Sequence, residues 1–226
     1  MTDSLIKLSS LLKLYRTDKL ETTALNRLSL DIHSGEFVAI MGPSGCGKST
    51  LLNILGLLDR ADSGSYCLNG QETFGIKEGV LSALRKKYIG FIFQNFNLID
   101  ELTVRANVEL GLHYNGVRGK EARQRADEAL EQLGLAARGD HMPVQLSGGQ
   151  QQRTAIARAI VHRPTLLLAD EPTGNLDSKN REEVLDILGS LNRQGTTIVM
   201  VTHSEDDAGR AGRIVRLRDG QLINAA

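Results

Sequence analysis

The sequence predicts an α/β fold in which a parallel sheet carries helices on both faces. The apolar run Phe37-Val38-Ala39-Ile40-Met41 passes through a glycine-rich turn into the leucine-rich stretch Leu51, Leu52, Ile54 and Leu55, as a buried strand followed by a buried helix would. A second run, Leu166-Leu167-Leu168-Ala169, and a third, Ile198-Val199-Met200-Val201, are separated by Val184, Ile187, Leu188 and Leu191 at helical spacing. Strands that alternate with helices in this way are joined by crossovers, so neighbouring strands run parallel.

The remaining elements follow in chain order. Residues 5–15 contain Leu5, Ile6, Leu8, Leu11, Leu12 and Leu14, a mixture that suits strand or helix, and we read part of it as strand. Over 22–32, Leu28, Leu30 and Ile32 alternate with polar residues, and Ser34-Gly35 closes the run as a turn. Tyr66 and Leu68 alternate with Cys67 and Asn69 in a short strand between turns. Residues 81–87 suit a short helix with a basic end, and 88–93 a buried strand stopping at Gln94. Ala122, Ala126, Ala129, Leu130 and Leu133 recur every three or four residues, which predicts an amphipathic helix ended by Gly134. Ser147 suits the N-cap of a further helix that ends before Pro164. Residues 214–223 read as a hairpin turning at Asp219-Gly220.

Composition narrows the function classes. The 226 residues carry 27 Lys+Arg against 27 Asp+Glu, so no global field recruits nucleic acid or an anionic membrane. Cys46 and Cys67 form neither a metal-ligand spacing nor a disulfide framework, which fits a reducing cytosol. The first ten residues lack the continuous apolar core of a secretory peptide, and no run approaches the ~20 apolar residues of a membrane span. Any membrane role is expected to come through a partner.

The chemistry concentrates at the turn after Met41: Gly42, Pro43, Ser44, Gly45, Cys46, Gly47, Lys48, Ser49 and Thr50. Glycines there let backbone N–H groups approach phosphate oxygens, and the following helix adds its positive end. This is the pattern and context of a P-loop, in which Lys48 is expected to neutralise the β- and γ-phosphates of a nucleotide and the Ser49 hydroxyl to hold magnesium. Asp170 stands at the carboxyl end of an apolar strand, where open α/β sheets place ligands, and is expected to hold the same metal opposite Ser49. Its neighbour Glu171 is the candidate for polarising the attacking water. Taken alone, an Asp-Glu pair is more often a helix cap or a surface ion pair; the strand before it and the P-loop upstream reverse that reading. His203 and Gln94 also follow strand ends on the ligand side.

Leu146-Ser147-Gly148-Gly149-Gln150, followed by Gln151-Gln152-Arg153, resembles the signature motif of the ABC-type ATPases, and it lies between the P-loop and the Asp170 strand as in that family. The resemblance covers essentially the whole chain. It implies a single P-loop NTPase domain: a parallel-sheet RecA-like core with an antiparallel β subdomain over about 1–95 and 162–226, and an inserted α-helical subdomain over about 96–161. It further implies that Tyr15 stacks on adenine, that Gln94 links magnesium to the transport machinery, that Asn175-Leu176-Asp177 is the D-loop, and that His203 is the switch histidine near the γ-phosphate. Ser147, Gly148, Gly149 and Gln150 stand at a helix start and so offer a second anion site. In the family, two cassettes pair head to tail, and each ATP lies between one P-loop and the other copy's signature. The implied ligands are ATP and Mg2+, bound at residues that include Tyr15, Gln94 and Asp177.

Residues 39–43, 52–56, 90–99 and 172–177 resemble the branch of macrolide exporters and lipoprotein-releasing ATPases. This implies a homodimer bound to an integral membrane permease subunit, peripheral on the cytoplasmic face of the inner membrane. A neighbouring alternative is mechanical signalling without cargo, as in cell-division ATPases. Relatives acting on DNA or ribosomes carry a long heptad insert or two cassettes in one chain; this sequence has neither, so no nucleic acid partner is expected. Among departures, Cys46 stands where serine is frequent, and Ser204 follows His203 where aspartate is frequent, which bears on the histidine loop. The apolar residues after Gln94, among them Phe96, Ile99, Leu102, Val104 and Val108, are expected mostly to pack into the helical lobe, with some lining a groove for a partner's helix.

Overall fold

A computed structural model describes residues 4–17 and 20–225. Two long strands, β1 (Ser4–Thr17) and β2 (Leu20–His33), form an antiparallel pair, and β3 (Phe37–Met41) leads through the glycine-rich turn into α1 (Lys48–Leu55). There follow β4 (Ser63–Leu68), β5 (Gln71–Glu72), α2 (Glu78–Tyr88) and β6 (Ile89–Ile92). A helical stretch comes next, with α3 (Val104–His113), α4 (Gly119–Gln132) and α5 (Gly148–Ile160). The chain then alternates through β7 (Leu166–Asp170), α6 (Ser178–Arg193), β8 (Thr197–Val201) and the short α7 (Glu205–Ala208), and finishes in β9 (Arg213–Arg218) and β10 (Gln221–Ala225).

The strands make two sheets, β2-β1-β4-β5 and β10-β9-β3-β8-β7-β6. In the larger, β9, β3, β8, β7 and β6 pair in parallel, and β10 closes one edge as an antiparallel hairpin. Side-chain alternation divides the core. Val38, Ile40, Leu166, Leu168, Val199 and Val201 face a cluster built with α1 and the antiparallel sheet. Phe37, Ala39, Met41, Leu167, Ala169, Ile198 and Met200 face a cluster built with α3 to α7. Burial on both faces explains why these strands read as continuous apolar runs, each buried Val, Leu or Ile contributing about 1.5–3 kcal/mol. Beyond an expected covering of helices on each face, one face is shared between α1 and a second sheet.

Local signals set the helix ends. Gly134, at φ 68, ends α4; its N–H bonds to Glu131 O at 3.0 Å and that of Leu135 to Leu130 O at 2.7 Å, the paired bonds of a Schellman cap. Ser147 caps α5 as expected, its Oγ accepting from Gln150 N at 3.3 Å while Gln150 Oε1 accepts from Ser147 N at 3.0 Å. The final hairpin turns through Asp219 (φ 49) and Gly220 (φ 73), the positive angles a two-residue turn requires.

The helix α3 lies in the stretch read as a helical subdomain, although the sequence reading gave it no helix of its own. Val104 and Val108 do enter the core, Ile99 is exposed, and a fully buried Asn107 shapes the preceding loop. Its Nδ2 donates to Ile99 O, Leu102 O and Thr103 O at 3.0, 3.1 and 3.1 Å, and its Oδ1 accepts from Ile99 N at 2.8 Å. Among the described residues, no helix is long and apolar enough to cross a membrane.

Candidate functional site

The turn between β3 and α1 owes its shape to close approach on one side and open space on the other. A Cβ on Gly42 would lie 2.1 Å from Leu217 O, and one on Gly47 would lie 2.3 Å from Ala24 O, so both backbones are pressed against the fold. A Cβ on Gly45 meets nothing within 4 Å, so this residue faces open space, with φ at 78. The hairpin turn braces the loop from behind: Gly220 N donates to Cys46 O at 3.1 Å, and Asn26 N donates to Gly220 O at 2.9 Å. Lys48 Nζ donates to Gly42 O at 2.9 Å and Pro43 O at 2.8 Å, which holds the ammonium over the loop.

A cavity of about 560 Å³ opens at this loop, lined by Tyr15, Ser44, Gly45, Gly47, Lys48, Ser49, Thr50, Glu171 and His203. Sequence reading had singled out all nine. It missed Thr22, Thr23 and Ala24, which complete the wall from β2; a polar strand edge carries no motif, and only the β1–β2 pairing brings it beside Tyr15. Tyr15 is 44% exposed and its Oη donates to Asp59 Oδ2 at 3.0 Å, so the ring is held by its hydroxyl with a face open. Cys46 does not line this cavity; its side chain joins the core and is 5% exposed. The thiol is therefore inward, and no part of the cavity wall.

The acidic end lies opposite. Asp170 ends β7 and faces Ser49 and Lys48. Burial pushes the Asp170 carboxyl above the ordinary carboxylate range, the charge of Glu171 adds to this, and Lys48 and Ser49 draw it part of the way back. Glu171 has φ 43, a left-handed backbone that costs a non-glycine residue of order 1–3 kcal/mol, and its N–H is tied to Val201 O at 2.9 Å. Its Oε1 lies 3.1 Å from His203 Nδ1. Gln94 approaches from β6: a Cβ placed on Gly174 would be 2.8 Å from Gln94 Nε2 and 3.4 Å from Glu171 Oε2, so the two side chains converge on the bare face of that glycine.

Other predicted residues stand apart from the cavity. Ser147, Gly148, Gly149 and Gln150 begin α5 and do not line it, and Asp177 is the N-cap of α6, its Oδ1 accepting from Asn180 N at 2.9 Å. These two helix starts meet each other, since a Cβ on Gly149 would lie 1.8 Å from Asn180 Oδ1. Fully buried Gln152 on α5 also reaches the loop after Glu171, donating from Nε2 to Pro172 O at 2.6 Å.

The arrangement suits a magnesium nucleotide. The loop offers backbone donors and a cation to phosphates, and Ser49 with Asp170 offers the oxygen ligands that a hard divalent ion prefers. The family model described as ABC transporter matches residues 25–174. The chain is 51% identical over 222 residues to the uncharacterized ABC transporter ATP-binding protein YknY of Bacillus subtilis, covering 98% of this chain and 96% of that one. It is 50% identical to the macrolide export ATP-binding/permease protein MacB of Rhodopseudomonas palustris, over 99% of this chain but 34% of that longer protein. Among solved structures, the ATP-binding cassette MJ0796, described as a dimer in a post-hydrolysis state bound to ADP and Pi, superposes with a TM-score of 0.90 at 44% identity over 97% of both chains. The chain belongs to the ABC transporter family and is one of its ATPase cassettes.

Proposed function

We propose that this chain binds Mg-ATP between two copies arranged head to tail, and that its hydrolysis drives an integral membrane permease of the macrolide-efflux or lipoprotein-release type. The observation that carries the reading is the separation of two half-sites: a cavity with the P-loop, Glu171 and His203 in one place, and the Ser147 turn outside it. A two-fold pair would bring each turn to the other copy's cavity. The kinship with MacB, named as both ATP-binding and permease protein, supports a permease partner. The chain would then lie on the cytoplasmic face of the inner membrane. We read residues 1–95 and 162–226 as the core with its β subdomain, and 96–161 as the helical subdomain.

Each residue has a task in this reading. Tyr15 offers an open ring face to the base, and the N–H groups of 44–50 take the phosphates, with Lys48 balancing charge. Magnesium, held by Ser49 and Asp170 with Gln94 at the approach, would neutralise charge on the β- and γ-phosphates. Glu171 accepts the proton of the attacking water, and His203, 3.1 Å away, orients the carboxylate. Ser147, Gly148, Gly149 and Gln150 of the second copy complete the phosphate shell, with Asp177 beside them. Replacing Glu171 with Gln tests this. Turnover is expected to fall about 100- to 10,000-fold while ATP affinity persists, leaving a dimer visible by light scattering. A parental rate would place the base elsewhere, and a strictly monomeric ATP-loaded variant would exclude the head-to-tail pair.

A further inference from the structure

Behind the Glu171–His203 contact lies a second, smaller cavity of about 190 Å³, whose walls include Glu171, Thr173, Arg181, His203, Ser204 and Asp207. Asp207 is the unexpected member. It is 2% exposed, and a carboxylate is retained at such depth only when it is paired and hydrogen-bonded. Thr173 Oγ1 donates to its Oδ2 at 2.5 Å, and Arg181 Nε donates to its Oδ1 at 2.5 Å. Arg181 Nη2 also donates to Ser204 Oγ at 2.8 Å. That same Oγ accepts from the Asp207 backbone N–H at 3.3 Å and so caps α7.

The connectivity matters more than the burial. Thr173 lies two residues beyond Glu171, Ser204 directly follows His203, Arg181 stands in the first turn of α6, and Asp207 in α7. One carboxylate therefore fastens both loops of the catalytic pair to α6. None of the four groups lines the P-loop cavity, so any effect on chemistry passes through Glu171 and His203. Such a fastening has a mechanical reason. The Glu171 backbone is in a left-handed conformation that its own residue type disfavours, and His203 is exposed, so neither loop is fixed by its own preference.

We propose that Thr173, Asp207, Arg181 and Ser204 form a positioning cluster, with Asp207 at its centre, that sets the Glu171 carboxylate against His203 for hydrolysis. The proposal rests on the reading of Glu171 and His203 as the hydrolytic pair. It also accounts for Ser204: the serine caps α7 and receives Arg181, while the carboxylate that neutralises Arg181 is supplied three residues later by Asp207.

The test is single-turnover phosphate release from the full chain, with ATP affinity and melting temperature measured in parallel. Asp207→Asn and the near-isosteric Thr173→Val are compared alone and in a His203→Ala background, followed long enough to resolve slow hydrolysis. Each variant alone is expected to slow release about tenfold, with ATP affinity within about twofold. In the His203→Ala background neither should slow it further, because the pair being positioned is already broken. An unchanged rate, an equal loss with and without His203, or a loss matched by ATP affinity would overturn the proposal. Thr173→Val decides alone if Asp207→Asn does not fold. Glu171→Gln measured alongside separates the two readings: a parental rate there removes the hydrolytic pair and the cluster's role with it, whereas an inactive Glu171→Gln beside unimpaired cluster variants removes the cluster alone.

Discussion

The starts of α1 and α5 are both glycine-rich helix N-termini, and they are finished in opposite ways. Gly47 precedes α1 with φ 104 and no side chain caps the helix, so its first N–H groups remain free for phosphate. Ser147 and Gln150 close α5 on itself with reciprocal bonds. A cap of that kind contributes about 0.5–2 kcal/mol, which α1 forgoes. The open end is backed by a cation and a walled cavity, and the closed end stands outside that cavity. The first is a pocket within one chain; in the proposed dimer the second would supply a few donors to the copy that faces it.

Substitutions at the two ends should therefore separate binding from assembly. Lys48→Ala removes the charge-assisted bonds of the open end and is expected to weaken ATP binding by about 10- to 100-fold, by titration of the isolated chain. Equal affinity would mean that the loop backbone alone carries the nucleotide. Ser147→Ala should leave that titration unchanged within about twofold, lower the unfolding free energy by about 1 kcal/mol through the lost cap, and reduce ATP-dependent dimerisation several-fold. Weakened binding in the monomer would erase the contrast between the two ends.

The smallest effect is expected at Asp170, the proposed metal ligand. Folding raises the Asp170 pKa through burial and the Glu171 charge, so ionised Asp170 opposes folding, and its loss should help. Asp170→Asn is predicted to melt slightly higher than the parent without magnesium nucleotide. The gain is full above the raised folded-state pKa and disappears as the pH falls below the ordinary aspartate value of about 4, where both states are protonated. Melting curves from pH 3 to 8 check the sign. Added Mg-ATP should reverse the order, because only the parent keeps the ligand.

The sequence made the phosphate-binding half legible because its parts are contiguous: strand, glycines, lysine and helix lie within residues 37–58 and dictate one another's geometry. Ser147 was readable as a cap for the same reason. Groups brought together from distant segments were not. Thr22 and Thr23 reach the cavity only through strand pairing, Asp207 meets Thr173 and Arg181 only once α6 and α7 have docked, and the α3 pattern was masked by Asn107, a polar side chain at a core position. The Cys46 thiol turns inward because Gly42 leaves room for it, which no motif-level reading could show; a Cβ on Gly42 would sit 2.7 Å from the sulfur.

The bond from Gly220 to Cys46 has a consequence for biogenesis. A growing chain holds the whole nucleotide-loop motif once Thr50 has been added, yet the brace behind that loop arrives only with the β9–β10 hairpin. Translation therefore leaves the loop without its backing until that hairpin is made, so the loop takes its final support from one of the later-made elements of the fold.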